Sequence, residues 1–207
     1  MSVISLALSP THEFTKTTSE NLTLLPGLGV KGDCHCGETV QHRSRLHIRP
    51  PPKNLRQVHL MDLEILQQFD VKPADLGENV TTQGLDLLGK SQGTKLHFIS
   101  AAQMSTSNSK TTNAVVLRDL NDAGASLKEI LAAPHPVVVL TGLRNPCPQI
   151  QQFRAGLQEK FIVRGEDRRI VDRKAGVMSV VEVGGDIHVG MAVVVEEPVI
   201  FKALECV

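Results

Sequence analysis

Residues 141–148 place one cysteine where chain geometry can make its sulfur reactive. Cys147 lies between Pro146 and Pro148, and a proline disfavours the α region for the residue before it, so we expect an extended cysteine backbone. If Pro148 begins a helix, Cys147 is its N-cap, where the helix dipole favours a thiolate. A thiolate is a nucleophile and a soft-metal ligand, and Arg144 can strengthen the positive field or bind a phosphate. The alternative is an inert, buried cysteine on a tight turn.

A second segment, residues 27–37, combines four glycines with four potential metal ligands, which are Asp33, Cys34, His35 and Cys36. The glycines permit positive φ angles and a close approach of the backbone to a ligand. In an extended chain the two cysteines point to one side and the other two ligands to the opposite side, so this segment alone does not form a zinc cage. Three interpretations stay open: a loop that contacts a ligand, a plain turn, and a zinc site.

A third segment, residues 75–79, has the composition of a turn that leads into a strand. Gly77 allows a sharp bend, and Glu78 and Asn79 can hydrogen-bond to neighbouring backbone groups. Glu78 is also a candidate general acid or base, a role for which its immediate neighbours give no further signal.

The elements that must position these segments are mainly strands. Short runs of β-branched and other apolar residues predict strands at 3–8, 95–99, 115–117, 137–140 and 177–183. Residues 177–196 predict a hairpin closed by a glycine-rich turn at 184–186.

Helical spacing predicts short helices at 62–69, 126–132 and 148–157, the first of them with Asp62 as its cap. Residues 11–23 and 42–53 are predicted loops, and the basic stretch 42–49 is interpreted either as a solvated loop or as an anion-binding lid. The sum is an α+β fold, predominantly β: a twisted β-barrel or sandwich with a few short peripheral helices.

Composition narrows the classes of function. The chain has 207 residues, with 22 basic and 22 acidic side chains, so it lacks the positive excess of a nucleic-acid or membrane-surface binder. We find no apolar run of the roughly 20 residues that a membrane span needs and no convincing signal peptide, and we therefore expect one cytoplasmic domain spanning 1–207. Four free thiols are expected in that compartment, among them Cys206 in an unpacked chain end.

Taken in order, these segments resemble the MOSC family, the domain found at the C-terminus of molybdenum-cofactor sulfurases and in standalone proteins. The resemblance rests on Gly-Asp-Cys-His-Cys-Gly at 32–37, Leu-Gly-Glu-Asn-Val at 76–80 and Arg-Asn-Pro-Cys at 144–147. Further similarity at 57–64, 84–85, 93–96 and 184–190 extends it over about residues 27–196. No single piece is specific, but the ordered set is.

The resemblance implies a β-barrel-rich fold and a site for the molybdenum cofactor, in which Cys147 ligates molybdenum or carries sulfur. The same resemblance assigns cofactor binding to Gly32, Asp33, His35, Gly77, Glu78, Asn79, Arg144 and Asn145. The larger amidoxime-reducing relatives carry an additional N-terminal domain for which 207 residues leave no room, so their substrate scope does not transfer.

Three functions compete at this stage. The leading one is a molybdenum-cofactor protein that reduces small N-hydroxylated compounds with electrons from a partner reductase. The second is a module that carries cofactor or sulfur without turnover. The third is a thiol or zinc hydrolase that uses Cys147 with His35. It is the weakest of the three, because the sequence shows no third residue that would orient the histidine.

Overall fold

The computed structural model describes residues 1–42, 45–105, 116–117 and 125–207. Within these ranges the strands are β1 (Ser2–Leu8), β2 (Thr17–Ser19), β3 (Asn21–Leu25), β4 (Gly29–Val30), β5 (Val58–Asp62), β6 (Val80–Gln83), β7 (Lys95–Ile99), β8 (Val116–Leu117), β9 (Val137–Leu143), β10 (Ile162–Arg164), β11 (Ile170–Arg173), β12 (Val177–Val183), β13 (Gly185–His188) and β14 (Ala192–Glu196). The helices are α1 (Leu63–Gln68), α2 (Ala101–Ser105), α3 (Ala125–Ala132), α4 (Pro148–Phe153) and α5 (Leu157–Lys160), with a 3-10 turn at Leu87–Gly89.

Seven strands close into a mixed barrel in the order β1-β6-β5-β12-β9-β7-β14, and β14 returns to β1 at the pair Ser2 and Ala192. The pair β5–β6 is parallel and the other neighbours around the barrel are antiparallel. Strands β2 and β8 extend the sheet beyond β1 and β14, and β13-β3-β4 forms a separate small sheet. The predicted β-barrel with a few short helices is therefore confirmed.

The barrel core is aliphatic, as the absence of Trp and Tyr from the sequence requires. Its buried side chains come from every barrel strand, and Phe98 on β7 is an aromatic member. Branched aliphatic residues suit these positions because they pack well on a pleated, buried surface.

A second buried cluster attaches the helices to the barrel. Leu66 of α1, Ile150 of α4 and Leu157 of α5 are each at most 1% exposed, and Cys147 packs against the same cluster. The packing of α4 therefore fixes the position of the cysteine that precedes it.

The structure confirms α1 and α3 close to their predicted bounds. Of the predicted strand 115–117, residues 116–117 form β8, and Val115 lies outside the described residues. The predicted helix 148–157 is instead two helices, because Gly156 adopts a left-handed φ of 79° and is the N-cap of α5. None of the helices in the described ranges combines the length and the hydropathy that crossing a membrane demands.

The predicted hairpin over 177–196 is wrong. Strand β13 pairs with β3, and β14 pairs with β7 and β1, so neither pairs with β12. A Cβ at Gly184 would lie 2.6 Å from Pro26 Cδ, so this glycine allows the chain to pass close to the end of β3. The glycines redirect the chain to another sheet rather than folding it back on itself.

The predicted loop over 11–23 is wrong in part, since it contains β2 and the start of β3. Asp62 stands at the N-cap position of α1 but makes no side-chain capping bond there. Its carboxylate instead accepts hydrogen bonds from the Leu87 backbone N–H at 2.6 Å and from the Thr82 hydroxyl at 3.1 Å.

Candidate functional site

The three segments identified from the sequence meet at one cavity, which encloses about 70 Å³. Five of the predicted site residues line it: His35, Gly77, Asn79, Arg144 and Cys147. The remaining lining consists of Glu13, Phe14, Lys16, His42, Arg56, His59, Gln149 and Met178. Segments more than a hundred residues apart therefore share one site, as expected for a pocket built from several loops.

Cys147 has the geometry that its flanking prolines predict. Its backbone is extended, with φ −85° and ψ 161°, and it is the N-cap of α4, with Pro148 as the first helical residue. The half-buried sulfur lies 3.9 Å from Arg144 Nη2 and 3.7 Å from Gln149 Oε1. The thiol thus reaches the cavity with a guanidinium beside it.

Arg144 follows the last residue of β9 and is buried. Its backbone N–H donates to the Gly176 carbonyl at 2.9 Å, and its Nη1 donates to the Leu76 carbonyl at 2.7 Å. Burial lowers the pKa of Arg144, while the nearby Cys147 and Glu78 oppose that shift. Hydrogen bonds therefore hold the guanidinium in place. Because it is buried, its positive charge must be balanced by groups in or beside the cavity.

Asp33 organises the loop at 32–37. Its Oδ2 accepts from Lys16 Nζ at 2.5 Å, from Asn79 Nδ2 at 3.0 Å and from the Ser9 backbone N–H at 3.2 Å. Its Oδ1 accepts from the His35 backbone N–H at 3.0 Å. Burial alone would raise the pKa of Asp33, but the hydrogen bond from His35 and the charge of Lys16 outweigh burial and hold that pKa below its ordinary value.

Lys16 is a cavity cation that the sequence alone did not indicate, and Arg56 is another. Its side chain is 3% exposed, and its ammonium group pairs with Asp33. Burial lowers the pKa of Lys16, and the Asp33 carboxylate opposes that shift. The pairing brings the segment before β2 against the loop at 32–37.

Asn79 ties three elements together at the cavity wall. Its Nδ2 donates to the Ala7 carbonyl of β1 at 3.1 Å as well as to Asp33, and its Oδ1 accepts from the His59 backbone N–H of β5 at 3.2 Å. All these groups are buried, so each bond replaces one that water would otherwise make. Asn79 therefore acts on the site through its position in the barrel wall.

Glu78 is 1% exposed and is close enough to Arg144 for the two charges to influence each other. Its Oε1 accepts from the Ala74 backbone N–H at 2.6 Å and from the Thr81 hydroxyl at 3.2 Å, but Oε2 has no hydrogen-bond partner among the described residues. Burial raises the pKa of Glu78, against the lowering effect of these hydrogen bonds and of Arg144.

Gly77 lines the cavity with φ +76°, a conformation that L side chains rarely adopt. A Cβ at this position would lie 2.5 Å from the Phe14 carbonyl oxygen. Glycine is therefore required here both for the turn and for the close approach of the two backbones.

Arg56, His42 and His59 are further polar residues of the lining, beside Glu13 and Gln149. Burial, together with the charges of Arg144 and Arg45, lowers the pKa of Arg56 to about 10. Burial, together with neighbouring positive charge, lowers the pKa of His42 to about 4, and burial also lowers that of His59, which hydrogen-bonds to the Ala175 carbonyl at 2.9 Å. The basic side chains of the lining are therefore Lys16, Arg56 and Arg144, its acidic side chain is Glu13, and burial disfavours the protonated form of His42 and His59.

Four predicted positions lie outside the lining that the described residues form: Gly32, Asp33, Glu78 and Asn145. Asp33 and Glu78 act through lining residues, whereas the exposed Asn145 accepts a hydrogen bond from Arg173 at 3.0 Å. Cys206 is exposed, but the prediction of an unpacked chain end is wrong. Cys206 forms a β-bridge with Leu143, and Arg56 Nη1 donates to the Val207 carbonyl at 3.2 Å.

A second polar group of residues shares no lining residue with this cavity. His97 on β7 lies between Glu196 of β14, whose Oε2 is 2.9 Å from His97 Nε2, and His135, whose Nε2 is 2.8 Å from His97 Nδ1. His135 Nδ1 in turn donates to the Ala133 carbonyl at 2.6 Å. These groups form one continuous hydrogen-bonded chain across the β7–β14 seam.

Among the solved structures that match, two share the fold over most of this chain. The YuaD protein from Bacillus subtilis superposes with a TM-score of 0.58 at 19% sequence identity, over 93% of each chain. YiiM from Geobacillus stearothermophilus superposes with a TM-score of 0.53 at 12% identity, over 94% of this chain and 73% of YiiM.

No protein-family model matches the sequence, and no curated protein matches it significantly. At these identities the two structures establish the fold alone.

Proposed function

We propose that the chain is a molybdenum-cofactor protein of the MOSC type, in which Cys147 is the protein ligand to the metal. The observation that carries the proposal is a half-buried thiol beside a buried guanidinium, in a cavity that Lys16 and Arg56 also line. The fold shared with YiiM, a MOSC-domain protein, supports the family resemblance.

The donor set fits such a group. The molybdenum cofactor is anionic and binds its metal through sulfur, so it needs cations around it and a soft ligand at the metal. Lys16, Arg56 and Arg144 supply the positive charge, and Cys147 supplies the sulfur. The cavity itself encloses about 70 Å³, room for a small group or for one end of a larger ligand.

The reaction we propose is reduction of a small N-hydroxylated compound, such as a hydroxylamino base or an amidoxime. Cleavage of the N–O bond consumes two electrons and two protons, and it releases water together with an amine from a hydroxylamino compound or an amidine from an amidoxime. The bound cofactor supplies two-electron chemistry, and a partner reductase supplies the electrons. Lys16, whose ammonium is paired with Asp33 and has its pKa lowered by burial, lines the same cavity and is the proton donor that we propose.

A carrier of cofactor or sulfur is the second candidate, and the small enclosed volume favours it, because 70 Å³ leaves little space for a substrate beside a cofactor. Both candidates require Cys147. They differ in whether the loaded protein turns over an N-hydroxylated compound.

The test is purification from a host that makes the cofactor, followed by measurement of bound molybdenum and pterin and of N-hydroxy reduction with a chemical electron donor. The variant is Cys147→Ser, and Cys36→Ser, another half-buried thiol, is the matched control. We expect wild type and Cys36→Ser to retain metal and Cys147→Ser to lose it, with a change in the free energy of unfolding below about 2 kcal/mol.

Wild type that retains neither molybdenum nor pterin would contradict the proposal, as would full activity in Cys147→Ser. Retention of the cofactor without turnover would favour the carrier.

A further inference from the structure

We propose that His12, Cys34 and His35 form a binding site for a borderline-soft transition-metal ion such as Zn²⁺, whose ligands do not include Cys147, although His35 also lines the Cys147 cavity. One ligand atom from each of these three residues lies within 4.8 Å of the other two, in the described part of the chain. Two imidazoles and one thiol are a ligand set that zinc uses when a fourth position stays open.

The fold holds these residues together without a metal. Cys34 N–H donates to the Ser9 carbonyl at 2.8 Å, and the Ser9 N–H donates to Asp33 Oδ2. The ion pair of Lys16 with the same carboxylate holds the chain on the other side of His12. His12 lies in the chain between Ser9 and Lys16, and both of these residues bind the loop that carries the other two ligands. The fold therefore places His12 beside Cys34, although 22 residues separate them in sequence.

The orientation of His12 leaves a ring nitrogen free to bind. Its Nε2 lies 2.9 Å from the Gln41 carbonyl, which can only accept a hydrogen bond, so Nε2 carries the proton. Nδ1 therefore keeps its lone pair. A backbone carbonyl that fixes the tautomer in this way is a usual partner of metal-binding histidines.

The second histidine has a carboxylate partner. Asp33 Oδ1 lies 3.2 Å from His35 Nδ1 and 3.9 Å from Cys34 Sγ, and Sγ is 3.2 Å from the same ring nitrogen. A carboxylate at this place orients the ligands and adds negative charge beside a cation. Asp33 is itself held by Lys16 and Asn79, so the arrangement is rigid.

The site is accessible. All three side chains are half-buried, and His12 and His35 line a small pocket together with Glu13, His42 and Gln149. Because the protein supplies three ligands, the open side can accept water or a small molecule. Thiol and imidazole ligands disfavour Mg²⁺ and Ca²⁺, which prefer oxygen.

The experiment uses the full chain from a host that lacks the molybdenum cofactor, so that its outcome does not depend on the proposed function. After treatment with a chelator, the protein is titrated with Zn²⁺ by calorimetry and with Co²⁺ by absorption spectroscopy. We expect one Zn²⁺ per chain, no competition by Mg²⁺, and a thiolate-to-cobalt charge-transfer band.

The variants are Cys34→Ser and His12→Gln, with Cys36→Ser as the matched control two positions away. Because loss of an outer partner already weakens metal binding by about 10–100-fold, we expect each ligand variant to weaken it by more than about 100-fold. The control should stay within about threefold of wild type. If Cys34→Ser does not fold, His12→Gln decides the question.

Three results would overturn the proposal: no stoichiometric Zn²⁺ binding by wild type, unchanged affinity in both ligand variants, or a loss of binding in Cys147→Ser or Cys36→Ser alone. The last result would move the metal to the cavity or to the neighbouring cysteine.

Discussion

Asp33 and Glu78 are both buried carboxylates beside the same cavity, yet their pKa values shift in opposite directions. Asp33 lies in the loop at 32–37 and accepts hydrogen bonds on both oxygens, one of them from the Lys16 ammonium. Glu78 lies in the turn before β6, and one of its oxygens has no partner among the described residues. Burial is common to both, so the donors around each carboxylate decide its charge.

The comparison separates two kinds of support for the site. The loop at 32–37 is held by a buried charge pair, which is destabilising to break. The turn at 76–79 is held by backbone conformation and by hydrogen bonds that a neutral acid can also make.

The largest effect is expected for Asp33→Asn. This change leaves the Lys16 ammonium buried without its counter-ion, and we expect a loss of about 3–5 kcal/mol in the free energy of unfolding. Denaturant unfolding measures it. The double variant Lys16→Met with Asp33→Asn should recover part of the lost free energy of unfolding. If the double variant instead loses the sum of the losses of the two single variants, the ion pair is not the cause.

Gly77→Ala should have the next largest effect, about 2–3 kcal/mol, because it combines a positive φ with a Cβ 2.5 Å from the Phe14 carbonyl oxygen. Gly93→Ala is the matched control, since its φ is +88° but nothing lies within 4 Å of its Cβ. The control should lose only the conformational part, about 1–2 kcal/mol. Thermal or denaturant unfolding measures both variants. If Gly77→Ala and Gly93→Ala lose the same free energy of unfolding, the contact with the Phe14 carbonyl does not contribute to the loss.

Glu78→Gln should have the smallest effect, about 1 kcal/mol at pH 4.5, and the effect should depend on pH. The pKa of Glu78 is raised in the folded state, so its contribution to stability is complete below its ordinary value of 4.5 and is lost as pH rises through the folded value. Wild type should therefore lose stability relative to Glu78→Gln as pH rises above 4.5, which denaturant unfolding at several pH values measures.

Asp33 provides the contrasting pH profile. Its folded pKa is lowered, so its contribution is present above the ordinary value of 3.8 and is lost only as pH falls through the folded value. The penalty of Asp33→Asn should stay constant between pH 4.5 and 8, measured by unfolding at several pH values. Parallel profiles for the two variants would contradict the difference between the two carboxylates.

Local chemistry made part of the site predictable from sequence. The prolines on either side of Cys147 fix its extended backbone, and the glycine at 77 has the left-handed conformation that its turn suggested. The same holds for the barrel, because strand propensity is a property of each short apolar run.

The rest depends on pairing between distant segments. Lys16 lies in a polar stretch with no local signal, and it belongs to the cavity only because Asp33, 17 residues later, is buried next to it. The hairpin predicted over 177–196 failed for the same reason: local spacing marks where strands end but does not specify which strand β13 pairs with. His12 is a further example, since its part in the metal cluster follows from the fold around Asp33 and Ser9.

The chain from Glu196 through His97 and His135 to the Ala133 carbonyl has a consequence in proton number. It contains three hydrogen bonds, and each needs one proton between its two heavy atoms. Two neutral imidazoles and a carboxylate bring only two protons, since each neutral ring carries one. All three hydrogen bonds can therefore form at once only when the group holds one additional proton. With that proton the three side chains are electrically neutral as a group. Loss of the proton must break one of the three hydrogen bonds at the β7–β14 seam.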